Sequence, residues 1–175
     1  MTRSQPAHSL RAYVPTVQFT VREQREIVEL LTRGKRIPWL QDLVEKDGLT
    51  HLVLITRGTG NAVLKTVRGD SLGERRVDGV GFYVDRDTRI RVLPEDVLVS
   101  GFLGPFIYLR ASLLDVKTSK MVRHELVQEG VAYGSGVNNP KADHWQIMDN
   151  SQKVMTLRKM IQENVERAVG KLVQP

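Results

Sequence analysis

Histidine, serine and carboxylate side chains are the first candidates for a reaction, and in this chain they are scattered. None of His8, His51, His124 and His144 stands four residues from another, the spacing that puts two imidazoles on one helix face for a metal. Asp143 and His144 are a neighbouring carboxylate–imidazole pair, with Ser135 close in sequence. A serine nucleophile on a strained strand-to-helix elbow needs G-x-S-x-G, and the surroundings of Ser135 read Tyr133, Gly134, Ser135, Gly136. The absence of cysteine removes thiolate metal sites, cysteine nucleophiles and disulfides together.

Phosphate and calcium chemistry fare no better. Gly58-Thr-Gly60 lacks the later glycine of G-x-G-x-x-G, and no G-x-x-x-x-G-K-[S/T] occurs. Asp115 opens D-V-K-T-S-K, without the glycine and distal glutamate of a calcium loop. Turns explain both segments, with Asp115 bonding its own turn backbone. Arg-Gly-Asp at 68–70 also reads as a turn. No catalytic residue, metal ligand or cofactor site follows from these patterns.

Charge is the remaining resource. The 175 residues carry a net charge of +6, which permits an anionic partner without demanding one. Arginines gather in the middle third, interleaved with Asp70, Glu74, Asp78, Asp85 and Asp87. If Arg57, Arg75, Arg76, Arg89 and Arg91 converge at one end of a sheet, they form an anion-binding face. Aromatic residues make up 6% of the chain, and the aromatic–basic pattern of an RNA-recognition sheet is missing. A second candidate surface is the uncharged stretch 97–108, in which Phe102, Leu103 and Phe106 form either a partner-docking patch or a buried strand kinked at Gly104-Pro105. The pattern favours the buried strand.

The elements that would position these residues can be read from periodicity and caps. Residues 1–15, polar with two prolines, suggest an extended or flexible arm. Thr20 and Glu23 form a capping box before Ile27, Leu30 and Leu31, with Gly34 ending that helix. Pro38 opens a second helix with a stripe of Trp39, Leu40, Leu43 and Val44, stopped by Gly48. Strands follow at 51–57, 62–67 and 75–85, with turn chemistry at 58–61. Gly79 and Gly81 in the third strand point to a bulge or the close approach of another backbone. Residues 86–103 read as either a short hairpin or a long excursion. A long hairpin spans 104–133 with its turn at 115–120. Asp149, Asn150 or Ser151 caps a final helix whose stripe is Val154, Leu157, Ile161, Val165, Ala168 and Leu172. This order predicts a single α+β domain: an antiparallel or mixed sheet of about five strands, with N-terminal helices and one long C-terminal amphipathic helix packed on it.

Two stretches, W-L-Q-D-L-V-E-K-D-G-L-T-H-L-V-L-I-T-R from Trp39 and Y-L-R-A-S-L-L-D-V-K-T-S-K-M-V from Tyr108, precede a C-terminal amphipathic helix. This combination resembles the α+β domain of Gram-negative envelope accessory proteins of the curli-secretion lipoprotein, penicillin-binding-protein activator and TolB N-terminal kind. There a helix leads into a strand, and a long strand ends in a D-x-x-T-G turn; here Ser119 stands at the turn glycine. The resemblance implies a non-catalytic accessory or scaffold protein that acts through protein contacts, and it carries over no functional residue; self-association through strand edges or the 97–108 stretch is one form such contacts can take. A cytoplasmic binder of nucleic acid or another anion, using the arginine face, is the alternative. No apolar run of about 18 residues exists to span a membrane. The N-terminus has no apolar signal-peptide core. The expected location is therefore the periplasm or envelope if a signal peptide has been removed, and the cytoplasm otherwise.

Overall fold

The computed structural model describes residues 20–38, 42, 45, 48–93, 96–135 and 143–174. Helix α1 (Val21–Arg33) starts on the expected capping box: the Thr20 hydroxyl accepts from the Glu23 N–H, and the Glu23 carboxylate accepts from the Thr20 N–H. It ends at Gly34 in the left-handed region. The arm over 1–15 and the stripe of Trp39, Leu40, Leu43 and Val44 lie outside the described residues, although Pro38, Asp42 and Glu45 are helical.

Among the described residues five strands follow: β1 (His51–Arg57), β2 (Thr59–Thr66), β3 (Ser71–Val92), β4 (Val97–Asp115) and β5 (Lys120–Ala132). A short 3-10 turn at His144–Ile147 leads into α2 (Asn150–Val173), capped by Asp149 and Gln152 acting reciprocally. The class is α+β, as the order of elements predicts. Residues 86–103 resolve as the hairpin reading: β3 runs on to Val92 and β4 begins at Val97.

β4 is the hub. Its first half pairs antiparallel with β3, from Val97↔Val92 to Tyr108↔Gly79. Its second half pairs on that side with β1, from Leu109↔Arg57 to Asp115↔His51. β5 lies along its other side. β2 pairs antiparallel with the start of β3 and meets β5 in parallel at Lys65↔Val131 and Thr66↔Ala132. The circuit β4–β3–β2–β5 makes the sheet partly barrel-like, with β1 extending it.

One turn is tighter than expected. Gly58 alone separates β1 from β2, whereas the residue types place turn chemistry over 58–61. The ladder continues through it: the Gly58 N–H donates to the Tyr108 carbonyl at 3.0 Å, and the Gly79 N–H donates to the Gly58 carbonyl at 2.8 Å. The Tyr108 ring packs so closely on Gly58 and Gly60 that a Cβ on either would press against it.

Alternation then sorts the core. Leu64, Val77, Ile90, Val99, Phe102 and Phe106 fill the barrel interior. The opposite face of β4, carrying Ile107, Leu109, Ala111 and Leu113, is covered by Met160, Ala168 and Leu172 of α2, with Ile161 and Val165 at the margin. α1 packs Ile27 and Leu30 against Leu54 and Leu114 at the sheet's lower end. The α2 stripe departs from expectation in its first turn, where Val154 is exposed and Lys153 is buried. The Lys153 ammonium lies 4.1 Å from the centre of the Trp145 ring, a cation–π contact that draws Lys153 inward.

Candidate interaction surface

The five candidate arginines are dealt out along different stretches of the sheet. Arg57, at the end of β1, donates from Nε to Asp78 Oδ1 at 3.0 Å, and Asp78 also accepts from the Thr59 hydroxyl at 2.8 Å. The Arg57 guanidinium and then that hydroxyl hold the Asp78 carboxyl below its ordinary value. Arg75 reaches Asp85 at 3.4 Å, with its guanidinium 5.8 Å from the centre of the Tyr83 ring. Arg91 shares Asp96 with Arg68, at 3.1 and 2.6 Å. Arg76 and Arg89 are exposed, opposite Asn61 and Ser100 respectively. Interleaved carboxylates therefore take up Arg57, Arg75 and Arg91 locally.

Asp85 organises a bulge of its own. Between Asp85↔Phe102 and Arg89↔Ser100 the β3 chain carries extra residues. The Asp85 carboxylate gathers them by accepting from the Asp87 N–H, the Thr88 N–H and the Thr88 hydroxyl at 2.8–2.9 Å. Burial pushes the carboxyl up, but the N–H groups of Thr88 and Asp87, the Thr88 hydroxyl and Arg75 together bring it below its ordinary value.

The Asp143–His144 pair is divided between two structural tasks. Asp143 caps the 3-10 turn, accepting from the Trp145 N–H at 3.0 Å. His144 is buried, with Nε2 2.9 Å from the Ser100 carbonyl oxygen and Nδ1 without a hydrogen-bond partner. Donation to that carbonyl fits the tautomer carrying its proton on Nε2. His51 and His124 are exposed on β1 and β5. Among the described residues no cluster of three histidines and carboxylates could hold a metal ion.

The apolar stretch in β4 is core. Phe102 and Leu103 are fully buried and Phe106 nearly so, which leaves them no surface for a partner. Exposed apolar side chains lie elsewhere. Met121, Val122 and Leu126 of β5 are 43%, 51% and 47% exposed. Ile55, Val80 and Val84 form a second, partly exposed set, and Trp145 packs edge-on against Phe82 at 5.5 Å. The sequence did hold a signal for the β5 residues. Met121-Val122 and Leu126-Val127 are adjacent apolar pairs, and a strand covered on one face must turn one member of such a pair outward.

Among the described residues, β5 also has one side without a neighbouring strand over most of its length. β4 holds one side of it from Lys120 to Gly130, whereas β2 reaches the other only at Val131 and Ala132. Among the described residues no backbone hydrogen bond satisfies that second side between Lys120 and Gln128.

Searches of family models, of curated proteins and of solved structures each found no match to this chain. Among the described residues no helix is long and apolar enough to cross a membrane.

Proposed function

We propose that this is a non-catalytic bacterial interaction or scaffold protein of the cell envelope, acting through protein–protein contacts. The observation that carries the reading is the second edge of β5, where backbone groups without a partner among the described residues coincide with exposed Met121, Val122 and Leu126. An edge of this kind recruits another strand through main-chain hydrogen bonds, and its side chains add apolar contact. The envelope assignment rests on the resemblance of the helix–strand unit and the D-x-x-T hairpin to Gram-negative accessory domains.

A second reading is a cytoplasmic protein that binds nucleic acid or another anion. Exposed Arg76 and Arg89, which have no carboxylate partner among the described residues, favour it. The two readings separate by salt. On nucleic-acid-depleted protein, light scattering after size exclusion should find an assembly that survives high ionic strength. A monomer that binds a single-stranded DNA oligonucleotide, and releases it steeply as salt rises, would overturn the first reading in favour of the second.

A further inference from the structure

The side of β5 that has no partner among the described residues is nearly complementary to itself. We propose that it pairs antiparallel with the same edge of a second copy, about a two-fold axis passing through His124; this rests on the protein-contact reading above and names the partner. An antiparallel strand pair related by a two-fold axis opposes each residue with one equally far on the other side of the axis. With His124 at the centre, Arg123 faces Glu125 of the second copy, and Glu125 faces Arg123 of the second copy. Val122 faces Leu126 of the second copy, both exposed apolar side chains. Met121 and Lys120 lie beyond the bulge at Val122, where the register shifts by one. Both Arg123 and Glu125 thus meet an opposite charge, and cross-strand pairs of these kinds stabilise a sheet.

Neighbouring registers lose this match. Centring on Arg123 opposes two guanidiniums. Centring on Leu126 sets Val122 against Gly130, which offers no side chain, and loses the apolar pair. Two further features prepare the edge. The bulge between Leu113↔Arg123 and Leu114↔Met121 leaves both Met121 and Val122 exposed. Helix α2 and its C-cap contact the charged pair: Lys171 stands 3.5 Å from Glu125, and Arg123 donates to the Gln174 carbonyl.

The chain has no cysteine, so single cysteines report the register directly. On mild oxidation His124→Cys should give a disulfide dimer on a non-reducing gel, and Leu126→Cys should give little. Preferential cross-linking of Leu126→Cys would overturn the register. Failure of both, with light scattering still showing a salt-insensitive assembly, would overturn the edge pairing and leave the protein-contact reading standing. A monomer with salt-labile DNA binding would overturn both. Independently, Arg123→Glu places like charges opposite each other twice and should weaken association about tenfold or more by sedimentation. Arg123→Glu/Glu125→Arg should restore it, with circular dichroism confirming that both variants are folded. A double variant as weak as the single one would refute the pairing.

Discussion

Arg75 Nη2 lies 3.4 Å from Asp85 Oδ2, although ten residues of one strand separate the two. Ten fully extended residues would span about 33 Å, so β3 must bend sharply between them. The bend centres on Gly79, whose φ of 67° suits glycine, and a Cβ there would stand 2.9 Å from Arg57 Cγ and Nε. It lets β3 leave β2 and join β4.

Asp85 should therefore be costly to remove. Asp85→Ala deprives two backbone N–H groups, the Thr88 hydroxyl and Arg75 of their shared acceptor, and should destabilise the fold by about 2–3 kcal/mol in urea denaturation at neutral pH. The pH dependence has a definite sign. The folded carboxyl lies below its ordinary value, so the unfolded chain takes up the proton first on acidification. The stability Asp85 adds is complete above the unfolded carboxyl's titration, near pH 5 and higher, and is lost as the pH falls through the folded value. Asp85→Asn should flatten that acid limb; an unchanged limb would show that other carboxylates carry it.

Gly101 and His144 form a second dependent pair. Gly101 has φ 80°, and a Cβ there would overlap the His144 imidazole. Gly101→Ala should cost about 2 kcal/mol or more, from left-handed strain plus displacement of the ring. Adding His144→Ala removes the overlap and leaves the strain, so the double variant should be more stable than the sum of the singles predicts. Strict additivity in thermal denaturation would show that the ring is not what Gly101 accommodates.

Ser119 is the converse case. It sits at φ 55° in the turn between β4 and β5, after Asp115 has accepted the Thr118 N–H at 2.9 Å. Ser119→Gly relieves the left-handed strain and adds unfolded-state entropy, so the net gain should be about 0.5 kcal/mol. A loss of stability would mean that the buried Ser119 side chain contributes more than its backbone conformation costs.

Leu64 and Gly130 test the closure of the barrel. Leu64 is fully buried, and its methyl occupies the space where a Gly130 side chain would begin. Leu64→Ala should cost about 3 kcal/mol by calorimetry or urea denaturation. Gly130→Ala alone should also destabilise, but on the Leu64→Ala background its cost should shrink because the methyl fills the vacated space. Equal costs on both backgrounds would place the two residues in separate environments.

Local patterns determined much of this architecture. The Thr20–Glu23 box, Gly34, the strand at 51–57, the 104–133 hairpin with Asp115 bonding its own turn, and the Asp149-capped helix all follow from caps, turn residues and periodicity that act within a few residues of themselves. The α+β class follows from their order. The candidate surface was far less legible. Phe102, Leu103 and Phe106 carry the same apolar chemistry whether a barrel closes over them or leaves them exposed, and Lys153 is buried where its ammonium meets the Trp145 ring, a neighbour outside the helical stripe.

Non-local contacts settled the rest. That Gly58, Gly60 and Gly79 serve a junction with Tyr108 and Arg57, that the arginines are divided among Asp78, Asp85 and Asp96, and that one side of β5 lacks a described partner all depend on which strands become neighbours. Strand alternation states which residues share a face, but not which strand lies beside which, nor which edge is left open. Those choices belong to chain closure and packing between segments far apart in sequence, so residue types and spacings supplied the elements while the tertiary fold decided the surface.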